Sequence, residues 1–141
     1  MLKISTRGQY ALLIMTELAE QDPQKFTSLK QLSHRHKISQ KYAEQILIQL
    51  SKFGLVTGMR GSNGGYKLSK NADSYKIGEI LRIMEGELSA KGTANENIFS
   101  STGIDFFWDG FDKTINDYAD SITLEQLAQK NREFTGYDYV I

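Results

Sequence analysis

The chain has 141 residues, of which 40% are hydrophobic and none is cysteine, and its 17 basic side chains balance its 17 acidic ones. This length suits one modest domain with an extension. Because cysteine is absent, a disulfide framework, a thiolate zinc site and a cysteine-ligated iron–sulfur cluster are excluded, and we expect no metal or other cofactor.

The charges separate along the chain. Residues 1–76 contain 12 Lys and Arg against 5 Asp and Glu, a net of +7, whereas residues 77–141 contain 5 against 12, a net of −7. A basic half is typical of a protein that binds a polyanion such as nucleic acid, although random clustering of charges is the alternative. We predict a DNA-binding domain over residues 1–74 and a dimerisation and regulatory region over residues 75–141.

The first helix is predicted over residues 7–20. Ser5 or Thr6 can serve as its N-cap, because a short hydroxyl side chain accepts a hydrogen bond from a free amide of the first turn. Pro23 follows the helix and disfavours helical geometry in the residue before it. The apolar residues recur at helical spacing and form one stripe that belongs in the core: Tyr10, Ala11, Ile14 and Leu18.

The next two helices are predicted to form a helix-turn-helix. The second helix runs from Ser28 to His36, and Ser28 and Gln31 have the spacing of a capping box. After a short turn, Ser39 is a good N-cap for a third helix, which Gly54 ends. Two short helices joined by a turn of about three or four residues are the helix-turn-helix arrangement.

The third helix has the side chains of a DNA recognition helix. Its apolar residues fall on one face: Ala43, Ile46, Leu47, Leu50 and Phe53. Gln pairs with adenine, Lys with guanine and Glu with the cytosine amino group, and all three types occur in the first turns: Gln40, Lys41, Glu44 and Gln45. A helix face that is merely exposed to solvent would have the same polarity. The interpretation as a recognition helix therefore depends on the elements predicted on both sides of it.

A β-hairpin is predicted after the third helix. Residues 55–59 and 66–68 read as its strands, and residues 61–65 form a turn in which Asn-Gly is a strong hairpin signal. A hairpin in this position is a wing, with Arg60 near its tip. The glycine-rich turn lacks the Lys-Ser or Lys-Thr ending of a phosphate loop, so a nucleotide site is not favoured, while a hairpin without DNA contact stays open.

The C-terminal half is predicted to hold three helices. A short one covers residues 77–85, and a loop over residues 86–102 separates it from a long amphipathic helix at about 102–121. One face of the long helix is the aromatic stripe, made of Ile104, Phe107, Trp108, Phe111, Ile115, Tyr118 and Ile122. Packing of this stripe against a second copy is favoured over packing within one chain. Thr123 and Gln126 then form a capping box that starts the last helix.

Catalysis has little support in the sequence. His34 and His36 are the only histidines and, two residues apart on a helix, they face different directions. They therefore suit neither a shared metal nor a nucleophile–base pair, and we predict that both lie at the surface. No apolar run approaches the roughly 18 residues of a membrane span, and nothing resembles a signal peptide, so we expect a cytoplasmic protein that is not an enzyme.

Five ordered segments of the sequence resemble one protein family. They are Lys3-Ile4-Ser5-Thr6-Arg7-Gly8-Gln9-Tyr10, Tyr42-Ala43-Glu44-Gln45, Gly54-Leu55-Val56, Arg60-Gly61-Ser62-Asn63-Gly64-Gly65-Tyr66 and Ile77-Gly78-Glu79-Ile80-Leu81. Together they resemble the Rrf2 family of bacterial winged-helix transcription regulators, over essentially the whole chain. The resemblance implies an α+β, mostly helical fold: a winged helix-turn-helix DNA-binding domain with a long C-terminal dimerisation helix.

The resemblance also implies how the protein acts. A homodimer would bind a palindromic operator and repress transcription, with the segment from Ser39 to Gln45 in the major groove and Arg60 of the wing in the minor groove. The residues predicted to contact double-stranded DNA are Lys3, Ser5, Arg7, Ser28, Ser39, Gln40, Lys41, Tyr42, Glu44, Gln45, Arg60, Gly61, Asn63 and Lys67.

Two features set this chain apart within the family. Many members hold an iron–sulfur cluster through three cysteines before the long helix, whereas residues 86–103 contain none. The lack of cysteine and the ending over residues 136–141 resemble the CymR-type regulators of cysteine metabolism. That resemblance implies that the tail, residues 134–141, docks in a cysteine synthase active site; a frayed terminus is the alternative. The docking residues are predicted to be Tyr139, Val140 and Ile141.

Two other functions stay open from the sequence alone. One is a winged-helix module that binds proteins and never DNA, and the other is a cluster-free regulator that senses a small ligand or a redox signal. An acidic or apolar recognition face would favour the protein-binding module, and the third helix has neither.

Overall fold

The computed structural model describes residues 3–90 and 103–136. These ranges contain six α-helices, one two-stranded antiparallel sheet and a 3₁₀ turn. In chain order they are α1 (Thr6–Glu20), α2 (Leu29–His36), α3 (Gln40–Lys52), β1 (Val56–Met59), β2 (Gly65–Leu68), the 3₁₀ turn (Ala72–Ser74), α4 (Ile77–Glu85), α5 (Asp105–Asp120) and α6 (Leu124–Gly136). The predicted α+β, mostly helical winged-helix class is confirmed. None of the helices in the described ranges has the length and apolarity that crossing a membrane requires.

Serine side chains start the first three helices. The hydroxyl of Ser5 accepts from the Gly8 amide at 3.0 Å, that of Ser28 from the Gln31 amide at 3.1 Å, and that of Ser39 from the Tyr42 amide at 3.0 Å. Each bond satisfies an amide that has no partner inside its helix. The three N-cap predictions are confirmed.

The two predicted capping boxes differ. At α6 the box is complete, because the Gln126 carboxamide accepts from the Thr123 amide at 2.8 Å and the Thr123 hydroxyl accepts from the Gln126 amide at 3.1 Å. At α2 only the serine half forms. The Gln31 side chain instead donates to Glu17 at 3.3 Å, because a buried carboxylate on α1 lies within its reach.

Left-handed residues end α2 and α3. Lys37 has φ 57° and ψ 43°, and the Ile38 amide donates back to the Ser33 carbonyl at 3.0 Å. Gly54 has φ 78°, and the Leu55 amide donates back to the Leu50 carbonyl at 3.0 Å. Both ends are Schellman motifs, which close a helix and turn the chain sharply. The predicted stop at Gly54 is confirmed.

The core is continuous across both predicted regions. Buried side chains of α1, α2, α3, α4 and α6 form one cluster, and the helix faces predicted for α1 and α3 point into it. The predicted division into a DNA-binding domain and a dimerisation region at residue 74 concerns function and not packing, and it stays a prediction. Phe53 is the exception on α3, since its side chain is 59% exposed. It lies at the C-cap, where the chain has already left the helical path, so it does not share the burial of the apolar face on which it was predicted to lie.

Tyr75 joins the wing to the rest of the fold. Its side chain is fully buried, and its hydroxyl donates to the Leu55 carbonyl at 2.6 Å. The same oxygen accepts from the amides of Ser69 and Lys70 at 3.0 and 3.2 Å. Burial raises the pKa of this phenol. The two ends of the hairpin, before β1 and after β2, therefore share one anchor, which no local sequence pattern indicated.

The wing contains a third chain segment that the sequence did not predict. Strand β1 pairs with β2 in the register Val56 to Leu68 through Met59 to Gly65. Thr27, between α1 and α2, also pairs with Tyr66, and the two residues exchange amide–carbonyl bonds of 2.8 Å. This bridge attaches the wing to the segment that immediately precedes α2, the first helix of the helix-turn-helix.

The loop at the tip of the wing, residues 60–64, is longer than a two-residue Asn-Gly turn. The Gly64 amide donates to the Gly61 carbonyl at 3.0 Å, and positive φ values occur at Gly61 and Gly65. Within the described residues Lys37 is the only non-glycine with positive φ, so Asn63 does not take the left-handed conformation that a tight Asn-Gly turn requires. The hairpin prediction is confirmed, and Asn63 is a central residue of the turn that the bond between Gly64 and Gly61 closes, although it is not left-handed.

Helix α5 is attached through α4. Arg82 donates two bonds to the Asn116 carboxamide at 3.1 and 2.9 Å and one to Asp120 at 2.8 Å. The Arg82 hydrogen bond holds the pKa of the Asp120 carboxyl below its usual value. Ile122 lies beyond the end of α5 and packs on the chain's own core. Ile122 is therefore separated from the rest of the aromatic stripe.

Candidate nucleic-acid interface

Helix α3 presents its polar first turns to solvent. Ala43, Ile46, Leu47 and Leu50 are fully buried on the opposite face. The predicted base-reading side chains are all exposed: Gln40, Lys41, Glu44 and Gln45. The burial of one face therefore fixes the direction of the other, and an exposed polar helix face of this kind can enter a major groove.

Tyr42 positions the start of α3. Its ring meets the edge of Tyr10 on α1 with centroids 5.9 Å apart and an interplanar angle of 88°. Such an edge-to-face pair fixes orientation as well as burying area. Tyr42 is half-buried, so its role in this structure is to hold the recognition helix against α1, while a DNA contact from it stays a prediction.

The N-terminal residues of the predicted interface are partly engaged by the protein itself. The Ser5 hydroxyl donates to the Glu85 carboxylate at 2.7 Å, and the Ser5 amide donates to the same carboxylate. Arg7 donates to the Gln45 carbonyl at 3.3 Å, and its Nε is buried without a partner among the described residues. Arg7 therefore ties α1 to the recognition helix, whereas Lys3 is exposed.

The wing carries its polar residues beside α3. Arg60, Gly61 and Asn63 are exposed at its tip. Burial and, to a smaller extent, the negative charge of Glu44 raise the pKa of Tyr66 on β2. Residues of α3 and of the wing also line one cleft, so the two elements lie close together. Lys67 is half-buried, with its ammonium 4.9 Å from the Phe26 ring centroid.

A cleft of about 470 Å³ separates α3 from the wing. Two apolar side chains on its walls, Ile48 and Met59, are 52% and 47% exposed. Neither was among the predicted site residues. Ile48 follows Glu44 by four positions, and that spacing places it on the exposed row, so a count of helix positions was the signal that could have found it.

The predicted interface residues thus fall into two groups. The exposed group lies on α3, at the wing tip, at the N-terminus and at the start of α2: Gln40, Lys41, Glu44, Gln45, Arg60, Gly61, Asn63, Lys3, Ser28 and Ser39. The side chains of the second group contact other elements of the fold: Ser5, Arg7, Tyr42 and Lys67. The DNA role of both groups stays a prediction.

One of the two histidines is not at the surface. His36 Nε2 lies 2.7 Å from Glu17 Oε1, and the two side chains are only 11% and 2% exposed. The surface prediction for His36 was wrong, because the last turn of α2 packs against α1. His34 is exposed as predicted. Within residues 3–90 and 103–136, no three His, Asp or Glu side chains come together in a way that could hold a metal ion.

A family model described as Rrf2, iron-dependent transcriptional regulator, matches residues 4–130. The chain belongs to the Rrf2 family of transcription regulators. The HTH-type transcriptional regulator CymR of Bacillus subtilis (strain 168) is 35% identical to it over 127 residues, which cover 90% of each chain.

Solved structures of Rrf2 regulators have the same fold. The structure of CymR (YrzC), described as the global cysteine regulator of B. subtilis, has a TM-score of 0.80 and 36% identity, covering 92% of this chain and 98% of that one. The structure of T. potens IscR has a TM-score of 0.74 and 33% identity, covering 98% of this chain and 96% of that one.

An iron–sulfur cluster of the usual kind needs cysteine donors, which this chain lacks. Iron–sulfur clusters in proteins are held mainly by cysteine thiolates, and the sequence has no cysteine. The family resemblance implies cluster ligands within residues 86–103, and residues 91–102 of this segment lie outside the described ranges. Their side chains nevertheless include neither cysteine nor histidine, so the chemistry of this segment does not fit a cluster of the usual kind.

Proposed function

We propose that this Rrf2 protein is a sequence-specific DNA-binding regulator that acts in the cytoplasm on promoter DNA. The observation that carries the proposal is the single surface on which α3 and the wing tip lie side by side. Base-reading side chains occupy the exposed row of α3, and Arg60 is at the tip of the adjacent wing. The names of the CymR and IscR relatives support the same assignment.

The arrangement suggests a division of roles. Lys41, Glu44 and Gln45 lie on the exposed side of α3 and read base edges in the major groove. Arg60 makes no ion pair within the described residues and is free to enter the adjacent minor groove, whose negative potential attracts arginine. Lys3 and the N-cap hydroxyls of α2 and α3 contact phosphates, which position the protein without reading sequence.

The regulator binds as a homodimer in this proposal, through the aromatic stripe of α5. Ile104, Phe107 and Tyr118 are 60%, 56% and 68% exposed, although they are large apolar side chains. Within α5 only Ala119 is buried, so the single chain uses little of this helix for its own core. An exposed apolar face of this kind marks a contact surface. Two copies joined there bind a palindromic operator and repress transcription.

The signal is proposed to concern cysteine metabolism, and the response is proposed to need no iron–sulfur cluster. Similarity to a protein described as a global cysteine regulator supports the first part. The missing cysteine donors support the second.

Substitution of the base-reading residues tests the assignment of α3. Changing Glu44 or Gln45 to Ala is expected to lower discrimination at individual base pairs by roughly 1 to 3 kcal/mol, because each side chain would lose its base partner. Lys67→Ala is the control and should weaken binding to all sequences about equally. Competition titrations with single base-pair variants of a bound fragment measure both effects. Equal losses on specific and random DNA would contradict the roles of Glu44 and Gln45.

The C-terminal tail is proposed to dock in a cysteine synthase. Tyr139, Val140 and Ile141 lie outside the described residues, so the proposal rests on the sequence and on the CymR likeness. A terminal carboxylate can be captured by backbone amides while a pocket holds the last side chain. Calorimetry with the organism's own cysteine synthase is expected to show binding that O-acetylserine competes with. Binding that survives deletion of Val140 and Ile141, or no binding, would discard this partner and leave DNA binding untouched.

A further inference from the structure

A cleft of about 530 Å³ lies on the side of the molecule formed by α1, the end of α2 and α6. We call it the α1–α6 cleft. Its walls are largely apolar and consist of Leu12, Leu13, Leu127 and Phe134. Leu13 is 51% and Phe134 76% exposed, so these side chains have little cover within the described chain. The volume falls in the range of small-molecule sites, which are mostly apolar with a few polar groups.

The acidic groups of the cleft are already partnered. Glu17 lies at its inner end, where one oxygen is 2.7 Å from His36 Nε2 and the other accepts from Gln31 at 3.3 Å. Glu20 accepts from the Asn131 carboxamide at 2.5 Å. A cationic ligand would have to displace these bonds to reach a carboxylate, so the cleft does not favour one.

The basic groups of the cleft are available. Arg35 is exposed and makes no hydrogen bond or ion pair within residues 3–90 and 103–136. Lys130 is 82% exposed, and its ammonium is 4.0 Å from Glu133, at the outer limit of an ion pair. The cleft therefore joins an apolar interior to a rim with two weakly compensated cations.

We propose that the α1–α6 cleft binds a small amphipathic carboxylate. The apolar body lies between the leucine walls and Phe134, and the carboxylate lies against Arg35, with Lys130 adding charge. Arginine pairs with carboxylates in a bidentate way and at close range. A bare phosphate or sulfate would leave the apolar walls in contact with water, so both parts of the ligand are needed.

The cleft is also next to the turn that leads into the recognition helix. Arg35 and His36 are the last residues of α2, Lys37 is the left-handed residue of the turn, and Ser39 caps α3. A ligand on Arg35 therefore acts on the short segment that orients α3. An effect of the ligand on DNA affinity rests on the proposed function. It also requires that the ligand bind the conformation that binds DNA more tightly or more weakly than it binds other conformations.

Calorimetry of the full chain without DNA tests the site directly. Octanoate serves as the probe, and 1-octanol and octylamine are matched probes without charge and with opposite charge. We expect saturable binding of one octanoate per chain and weaker binding of the other two. Arg35→Gln should weaken octanoate binding by about tenfold or more and leave octanol binding unchanged. Lys30→Gln removes an exposed cation from the same helix, outside the cleft, and should change nothing.

Four results would overturn the site. Three come from calorimetry: no saturable octanoate binding up to about 10 mM, equal binding of octylamine, and unchanged binding in Arg35→Gln. The fourth is sedimentation showing that Leu13→Lys or Phe134→Lys converts a dimer to a monomer, because the cleft would then be a subunit interface. Titration of bound DNA with octanoate tests the coupling separately: a shift in affinity supports it, and no shift overturns it. Since the calorimetry contains no DNA, failure of DNA binding would leave the result on the site valid.

Discussion

Replacing Phe107, Trp108 and Phe111 together by Ser is expected to convert the protein to a monomer and to weaken operator binding by about 10² to 10⁴-fold. The three rings contact one another, with centroids 4.9 to 6.0 Å apart, and so form one surface on α5. Phe107 and Phe111 are 56% and 40% exposed in the single chain. Once one subunit of a dimer is bound, the other meets its half-site at high effective concentration, which raises the affinity for DNA. A monomer lacks this increase in affinity.

Sedimentation equilibrium measures the conversion to a monomer, and DNA titration measures the loss of operator affinity. The triple variant should keep its helical circular dichroism, since Ala119 is the only buried residue of α5 and none of the three aromatic residues is buried in the single chain. Phe53→Ser is a matched control, because it removes an equally exposed ring from another surface and should leave the dimer intact. A wild-type protein that is monomeric at about micromolar concentration would remove the basis for the proposed assembly.

Gly65→Ala is expected to lower the free energy of unfolding by about 3 kcal/mol or more, because two separate costs add at this position. A Cβ at Gly65 would lie 2.1 Å from the Thr27 carbonyl oxygen, which pairs with the amide of Tyr66. The residue also has φ 146°, in a region that side chains other than hydrogen avoid. The bridge that holds the wing to the helix-turn-helix should therefore open, and DNA affinity should fall with it.

Gly61→Ala separates the two costs. Gly61 also has a positive φ, 110°, but a Cβ there would have nothing within 4 Å. We expect a loss of about 1 to 2 kcal/mol from backbone strain alone. Urea denaturation of both variants gives the comparison. Equal losses would show that the contact with Thr27 has no energetic importance and would contradict the proposed attachment of the wing.

Local signals in the sequence predicted most of the elements. The serines before α1, α2 and α3 each cap a helix, because capping depends on residues only three positions apart. Helix α4 covers the predicted residues 77–85 for a similar reason, since its apolar spacing is strong. The exposed row of α3 was predictable as well, because the burial of its apolar face leaves the polar turns outside.

Contacts between distant residues were not predictable in the same way. Tyr75 reads as one more aromatic residue after a polar linker, yet its hydroxyl has partners at both ends of the hairpin. Glu17 and His36 are 19 positions apart, so their pairing depends on how α2 packs on α1. Phe53 shows the limit of periodicity, because a helix face continues only as long as the helix does.

The salt dependence of binding to a promoter fragment selected from the organism's own genome tests the central claim most directly. Each neutralised phosphate contributes about −0.9 to the slope of log affinity against log salt. The five basic side chains predicted to lie near DNA in each subunit are Lys3, Arg7, Lys41, Arg60 and Lys67. With two subunits the steepest expected slope is about −9. The slope should be less steep than this, because Arg7 already donates a hydrogen bond within the protein. A steep negative slope with preference over random DNA is the predicted result. A slope near zero, or no preference for any fragment, would contradict the DNA-binding assignment.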